Sequence, residues 1–359
     1  MATVIGFIVV LGGLIFFHEL GHFTFAKLSG MRVEKFSIGF PPKLFSKKVG
    51  ETVYQLGIIP FGGFVKVTGV IDESMDDEPE KFEDDPKSFT SKSTLQKLLF
   101  ISGGVLFNLL LAVLIFSIMT MAQGVDKPAT DKAIVGKPIK GYPADSAGIK
   151  KGDRILSVDD HKVSSWKDMT DLIHSRPNDS IVVEWKHKGE IKKARLKTLS
   201  QKSIVKGKIK PIGMIGIAPE TKHTSVGLFS GLGQGVQRTG YWLKVTVVSL
   251  KEMIVGNVSP KNLGGPIKIA QMAGQSARAG IGVLFGFMAM LSVNLALLNI
   301  LPLPALDGGH FIIIIIEGFK GEELSPKTKI RIQKVGMFII LGLMALVFYN
   351  DILRLVTGG

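Results

Sequence analysis

Residues 4–27 read VIGFIVVLGGLIFFHELGHFTFAK, an apolar run that ends in three ionisable side chains, His18, Glu19 and His22. Residues 4–17 are apolar on every side of a helix, which suits a segment buried in lipid or protein and not an amphipathic surface helix. A bilayer-spanning helix needs about 20 largely apolar residues, and this stretch supplies them. On a helix, positions i and i+4 project from one face, so two imidazoles, His18 and His22, can hold one Zn²⁺. Glu19 lies next to that metal, where it can take a proton from a bound water. Charged groups within a span cost about 2.5–3.5 kcal/mol each on the insertion scale. Three ionisable groups in one apolar run therefore require a compensating partner, and a metal is one. The bland alternative is a cluster that sits solvated and inert at the end of the span.

The rest of the chain repeats this segregation. Mean hydropathy is +0.31 although 21% of residues are charged, so apolar and charged residues occupy different stretches. Charge-free runs over 98–125, 279–306 and 335–350 give spans near 97–122, 280–316 and 335–356, in addition to 3–27. The expected fold is an α-helical polytopic membrane protein of about four spans, the third one broken, with an inserted α/β domain and a membrane-associated β-hairpin. A cleaved signal peptide would open with basic residues. Here the first charge is Glu19 and Lys27 follows the run, so the first span is expected to stay.

Short loops rich in Lys and Arg face the cytoplasm. Lys27, Arg32, Lys35, Lys43, Lys47 and Lys48 crowd the exit of the first span, and Lys320, Lys327, Lys329, Arg331 and Lys334 lie between the last two. That places both termini and the insert outside the cytoplasm. The expected boundaries are 1–122 for the first half of the membrane core, 123–225 for the insert, 226–278 for a membrane-proximal linker, and 279–359 for the second half. In the linker, 226–255 could form an amphipathic interfacial helix.

The net charge of +14 does not imply nucleic acid. Basic residues lie scattered over the insert or beside span ends, where membrane lipids attract them, and no alternation of aromatic and basic residues is present. With no cysteine, disulfides and thiolate metal sites are excluded. The acidic run 72–85 is expected to be solvated and is assigned no chemistry.

Residues 51–70, ETVYQLGIIPFGGFVKVTGV, alternate as two short strands, with Pro60 and Gly62-Gly63 as the turn. They are apolar for a cytoplasmic loop and so are expected to dip toward the bilayer. In the insert, GYPADSAGIKKGDRILSVDD joins a loop and a short helix to a strand, and Trp166, Met169, Leu172 and Ile173 form a helical apolar face. IVVEWKH and EIKKARLKTL, split by Lys188-Gly189, read as a hairpin.

Two histidines leave room for a further ligand. Asp307 is the best candidate, in the stretch NILPLPALDGGH over 299–310, and it is the only acid between Glu252 and Glu317. Pro302 and Pro304 break the helix there, and the freed backbone is tolerated at membrane depth only in protein or a wet cavity. The alternative for Asp307 is a helix N-cap for the run that follows. His310 could also ligate, but packing beside the ligands suits it better, because three ligands leave one position for water.

HELGH near one end, NILPLPALDGG near the other and a PDZ-like insert between them resemble the site-2 protease family, and more narrowly its bacterial RseP-type intramembrane metalloproteases. The resemblance covers essentially the whole chain. It implies one Zn²⁺ held by His18, His22 and Asp307, with Glu19 catalytic. PFGGFVKVTG resembles the family hairpin that pairs with an extended substrate, which marks Gly62, Gly63 and Phe64. SGGVLFN over 102–108 is similar to the family's GPxxN element, with Asn108 as its amide and Val105 where proline is usual. Asn294 and Asn299 match a further family pattern. Asn108 and Asn299 are candidates to stabilise an oxyanion; the alternative for such amides is bonding between helices. One PDZ-like domain fits the insert, where some RseP-type proteins carry two.

The resemblance implies a bacterial inner membrane and cleavage of transmembrane segments in single-pass proteins, such as an anti-sigma factor or a remnant signal peptide. The insert is expected to filter substrates or bind a peptide. Rival readings are a membrane-anchored PDZ scaffold with an inactive metal site, or a transporter with broken helices. The intact HELGH and LDG elements speak against the scaffold, and the lack of a second matching interrupted span speaks against the transporter.

Overall fold

The computed structural model describes residues 2–70, 85–205, 208–259 and 264–357. The acidic run, Asp85 excepted, lies outside them. The chain folds as two units, Met1–Met119 together with Phe229–Gly359, and Thr120–Leu228.

In the first unit, helix α1 (Ala2–Leu28) leads into strands β1 (Val33–Val49) and β2 (Thr52–Val67), followed by helix α2 (Thr94–Gln123). The strand pairing differs from the expected hairpin over 51–70. The two halves of β2 do not pair with each other. Lys35, Phe36, Ser37 and Ile38 each have a partner in both halves, so the first part of β1 lies between them. The tight turn is at Gly50, which has φ of 61°, and Val49 pairs with Thr52 across it. β1 escapes a period-two reading because Gly39 and Pro41-Pro42 interrupt its alternation.

The second unit carries β3 (Val125–Pro128), β4 (Val135–Pro138), α3 (Pro143–Ser146), β5 (Arg154–Val158), β6 (His161–Lys162), α4 (Trp166–His174), β7 (Ser180–His187), β8 (Glu190–Lys197), β9 (Leu199–Val205), β10 (Lys208–Met214), β11 (Ile217–Pro219) and β12 (Thr221–Thr224). Its main sheet has the order β6-β5-β7-β8, and β4 pairs with β11. Helix α4 starts at a capping box. Ser165 accepts from the Asp168 amide, and the Asp168 side chain answers to the Ser165 amide. Its Trp166, Met169 and Ile173 are buried with Ile155, Val183 and Trp185, and Leu172 packs against them. The β7–β8 turn is made by Lys188 and Gly189, both with positive φ, which suits the right-handed twist of a two-residue hairpin.

The chain returns to the first unit through α5 (Leu228–Ile254), α6 (Pro266–Ala279), α7 (Ile281–Asn299), α8 (Asp307–Lys320) and α9 (Pro326–Thr357). Helices α1, α2, α7 and α9 are long and apolar enough to cross a membrane. Val10 and Leu14 of α1, Leu111 and Ile115 of α2, and Phe287 and Val293 of α7 form one buried cluster. The expected linker over 226–278 holds two helices. Ala273 of α6 is buried in that same cluster, while Thr246 of α5 donates to Asn294 of α7 at 2.7 Å. Near the other ends of the helices, Lys97 of α2 pairs with Glu323 at 2.7 Å and Lys329 of α9 pairs with Glu317 of α8 at 2.8 Å. Burial raises the Glu323 pKa, but the Lys97 hydrogen bond and the charges of Lys329 and Lys97 outweigh it and hold this carboxyl below its usual range.

Candidate metal centre

The contact between α1 and α2 sets the depth of the site. A β-carbon on Gly103 would lie 2.5 Å from the Gly21 carbonyl oxygen, so the two backbones touch and only glycine fits. One residue further along, a β-carbon on Gly104 would meet Nε2 of His22 at 2.5 Å and Nδ1 of His18 at 2.6 Å. The wall behind both imidazoles is therefore bare backbone.

Asp307 reaches the same point from the break after α7. Helix α7 ends at Asn299 and α8 begins at Asp307. Leu306 occupies the N-cap position, and Asp307 is the first residue of the helix, so the N-cap alternative does not describe it. Its carboxylate sits in the first turn, where the helix dipole favours negative charge.

Ligand atoms of His18, His22 and Asp307 all lie within 4.8 Å of one another. Nε2 of His18 is 3.5 Å from Oδ2 of Asp307, and Nε2 of His22 is 3.6 Å from Oδ1. The two Nε2 atoms are 3.3 Å apart. His22 can only donate from Nδ1, because its partner there is the Phe100 carbonyl at 2.9 Å. Its Nε2 therefore presents a lone pair to the cluster. Oδ2 of Asp307 is buried without a hydrogen-bond partner among the described residues. A lone pair, an orphaned carboxylate oxygen and a second imidazole converging at these distances fit a divalent cation with nitrogen and oxygen ligands. Glu19 is buried beside them, and His310 is not among the converging groups.

The amides divide. Nδ2 of Asn299 lies 3.2 Å from Nε2 of His18, on the side that faces Asp307. Nδ2 of Asn108 lies 3.1 Å from Nδ1, the other ring nitrogen. The amide oxygen of Asn294 accepts from the Thr246 hydroxyl. Gly63 runs against the acid: a β-carbon there would be 2.8 Å from Cγ of Glu19 and 2.5 Å from the Ser37 carbonyl oxygen. Gly62 lies against the Phe40 ring, and Phe64 stacks on that ring at 6.5 Å. Sequence reasoning missed the roles of Phe100 and Gly104, since a backbone carbonyl and a bare backbone wall carry no side-chain signature.

The chain is similar to known proteins over nearly its whole length. The description of peptidase family M50 matches residues 6–343. A Clostridium perfringens protein whose zinc metalloprotease name is itself inferred is 37% identical over 341 residues, covering 95% of each chain. The zinc metalloprotease RasP of Geobacillus kaustophilus is 29% identical over 422 residues, covering 98% of each. The regulator of sigma-W protease RasP of Bacillus subtilis is 29% identical over 425 residues, covering 98% of this chain and 99% of its own. The PDZ domain of an SdrC-like protein from Listeria monocytogenes is 26% identical over 26% of this chain and 92% of its own, at a TM-score of 0.21. Taken with the converging histidines and carboxylate, the match over nearly the full length places the chain in peptidase family M50, the site-2 type of metalloprotease.

Proposed function

We propose that the chain is an intramembrane endoprotease that holds one zinc ion through His18, His22 and Asp307 and cuts transmembrane segments with Glu19 as general base. The convergence of those three ligand groups beside Glu19 is the observation that carries the reading. When bound, zinc supplies Lewis acidity toward a water and the scissile carbonyl. Glu19 takes the proton of the attacking water and returns it to the leaving amine. The Asn299 amide, on the metal face of His18, is the candidate donor to the developing oxyanion.

A helical substrate hides its peptide bonds and must be held extended. Gly63–Val67 has the Val33–Ile38 segment on one flank and no strand on the other among the described residues. Strand addition at that edge would bring a substrate backbone past Gly63, next to Glu19. Gly62 and Phe64 frame the edge through Phe40.

The segment between Asn299 and Asp307 is the break in the third span, and the Lys- and Arg-rich loops put both termini and the PDZ-like insert outside the cytoplasm of a bacterial inner membrane. Substrates are then single-pass membrane proteins, such as an anti-sigma factor or a remnant signal peptide, and the insert screens them by size or binds a peptide. Membrane lipids cover the exposed apolar faces of α9, among them Phe338, Leu341 and Met344. The test is Glu19→Gln in the purified full chain: cleavage of a transmembrane substrate disappears while zinc stays. Undiminished cleavage in that variant refutes Glu19 as the base.

A further inference from the structure

The Asn108 side chain is buried completely, and it meets the ring nitrogen of His18 that faces away from Asp307. Nδ2 of Asn108 is 3.1 Å from Nδ1 of His18, whereas Oδ1 of the same amide is buried with no hydrogen-bond partner among the described residues. Around His18 the donors and acceptors do not balance with the amide in this orientation. An amide N–H at each ring nitrogen would demand two lone pairs, and a neutral imidazole has one. Asn299 already points its N–H at Nε2, from 3.2 Å, and Nε2 is also the atom that faces Asp307. The lone pair belongs there, so Nδ1 carries the hydrogen and needs an acceptor.

A half-turn of the Asn108 amide leaves its shape unchanged and sets the orphaned Oδ1 on Nδ1–H. We infer that Asn108 is a positioning residue, whose amide oxygen accepts from Nδ1 of His18 and holds the ring with Nε2 presented to the ion. Ser292 of α7 steadies this turn of α2 by donating to the Asn108 carbonyl at 2.7 Å. The arrangement parallels that of His22, which rests on the Phe100 carbonyl. Acceptors on the remote nitrogen of a metal-bound histidine are worth roughly 10–100-fold in metal affinity. The inference rests on the proposed function in one respect, that His18 is a zinc ligand.

The experiment is zinc retention by the purified full chain against graded chelator, read by metal analysis and not by activity. Asn108→Leu should release zinc at roughly 10–100-fold lower chelator than the unaltered chain. Asn108→Asp, which only accepts, should hold zinc as firmly as the unaltered chain. Should Asn108→Leu not fold, Asn108→Asp alone decides, because a donor role for the amide predicts that this variant loses zinc. Zinc retained equally by Asn108→Leu, or lost by Asn108→Asp, overturns the inference. An unaltered chain that holds no zinc would instead refute the ligand set itself, and the two failures are told apart by that control.

Discussion

A β-carbon on Gly104 would stand 2.6 Å from Nδ1 of His18, well inside contact distance. Two helices from one apolar core thus meet at the candidate metal centre with no side chain between backbone and ring. Gly104→Ala should displace one or both imidazoles, since at these distances it is the rings that have to move. The expected result is loss of zinc with the helical content of the protein kept, measured by metal analysis beside circular dichroism. Full zinc occupancy in that variant would show that the rings can yield.

Asp351 joins the last helix to α6. Its Oδ1 accepts from the Gly265 amide and its Oδ2 from those of Ile267 and Lys268, all at 3.1 Å. These are the orphan amides at the start of a helix, capped by a residue from another helix. Asp351→Ala removes the cap and leaves buried donors behind, which costs roughly 1–3 kcal/mol. The apparent melting temperature of the detergent-solubilised protein should fall. An unchanged melting curve would mean that water or another group replaces the carboxylate.

Asn294 was a candidate for the reacting site, yet it accepts from Thr246 at 2.7 Å. Bonds of this kind between helices in membranes contribute about 0.6 kcal/mol on average and at most about 1.7. We expect Asn294→Ala and Thr246→Val to lower stability by similar amounts, and the double variant to add little to either. A loss of kcat in Asn294→Ala without any loss in Thr246→Val would return Asn294 to the chemistry.

Asp168 gives the insert a pH signature. Hydrogen bonds from the Ser164 hydroxyl, then from the Ser165 side chain and backbone, hold its carboxyl below the usual range. A carboxyl depressed on folding contributes stability that is fully present above its unfolded pKa and is lost as pH falls through the folded one. In the full chain, hydrogen-exchange protection of α4 should therefore weaken only below about pH 4. Asp168→Asn should remove that pH dependence. Protection that declines equally in both forms would place the titration elsewhere.

Much of the site was legible in the sequence because its signals are local or costly. His18 and His22 declare themselves by four-residue spacing, and Asp307 by being a lone acid in apolar surroundings beside two prolines. The helical face of α4 and the Lys188-Gly189 turn follow from periodicity and turn chemistry. What stayed hidden depends on distant partners. Strand β1 carries a glycine and two prolines that mask its alternation, and its pairing with both halves of β2 is a tertiary fact. Helix α5 falls within the stretch 226–255 read as amphipathic, but its bond to α7 and the burial of Ala273 of α6 depend on distant partners. Asp351 and Asn294 look alike to a sequence reader, as polar residues in apolar helices, and only their partners distinguish them.

Zinc analysis of the purified full chain and of Asp307→Ala tests the ligand set most directly. The structure predicts one tightly held zinc per unaltered chain and its loss when the carboxylate is removed. A chain without zinc, or an Asp307→Ala variant that holds it as firmly as before, would contradict the assignment of His18, His22 and Asp307 to one ion.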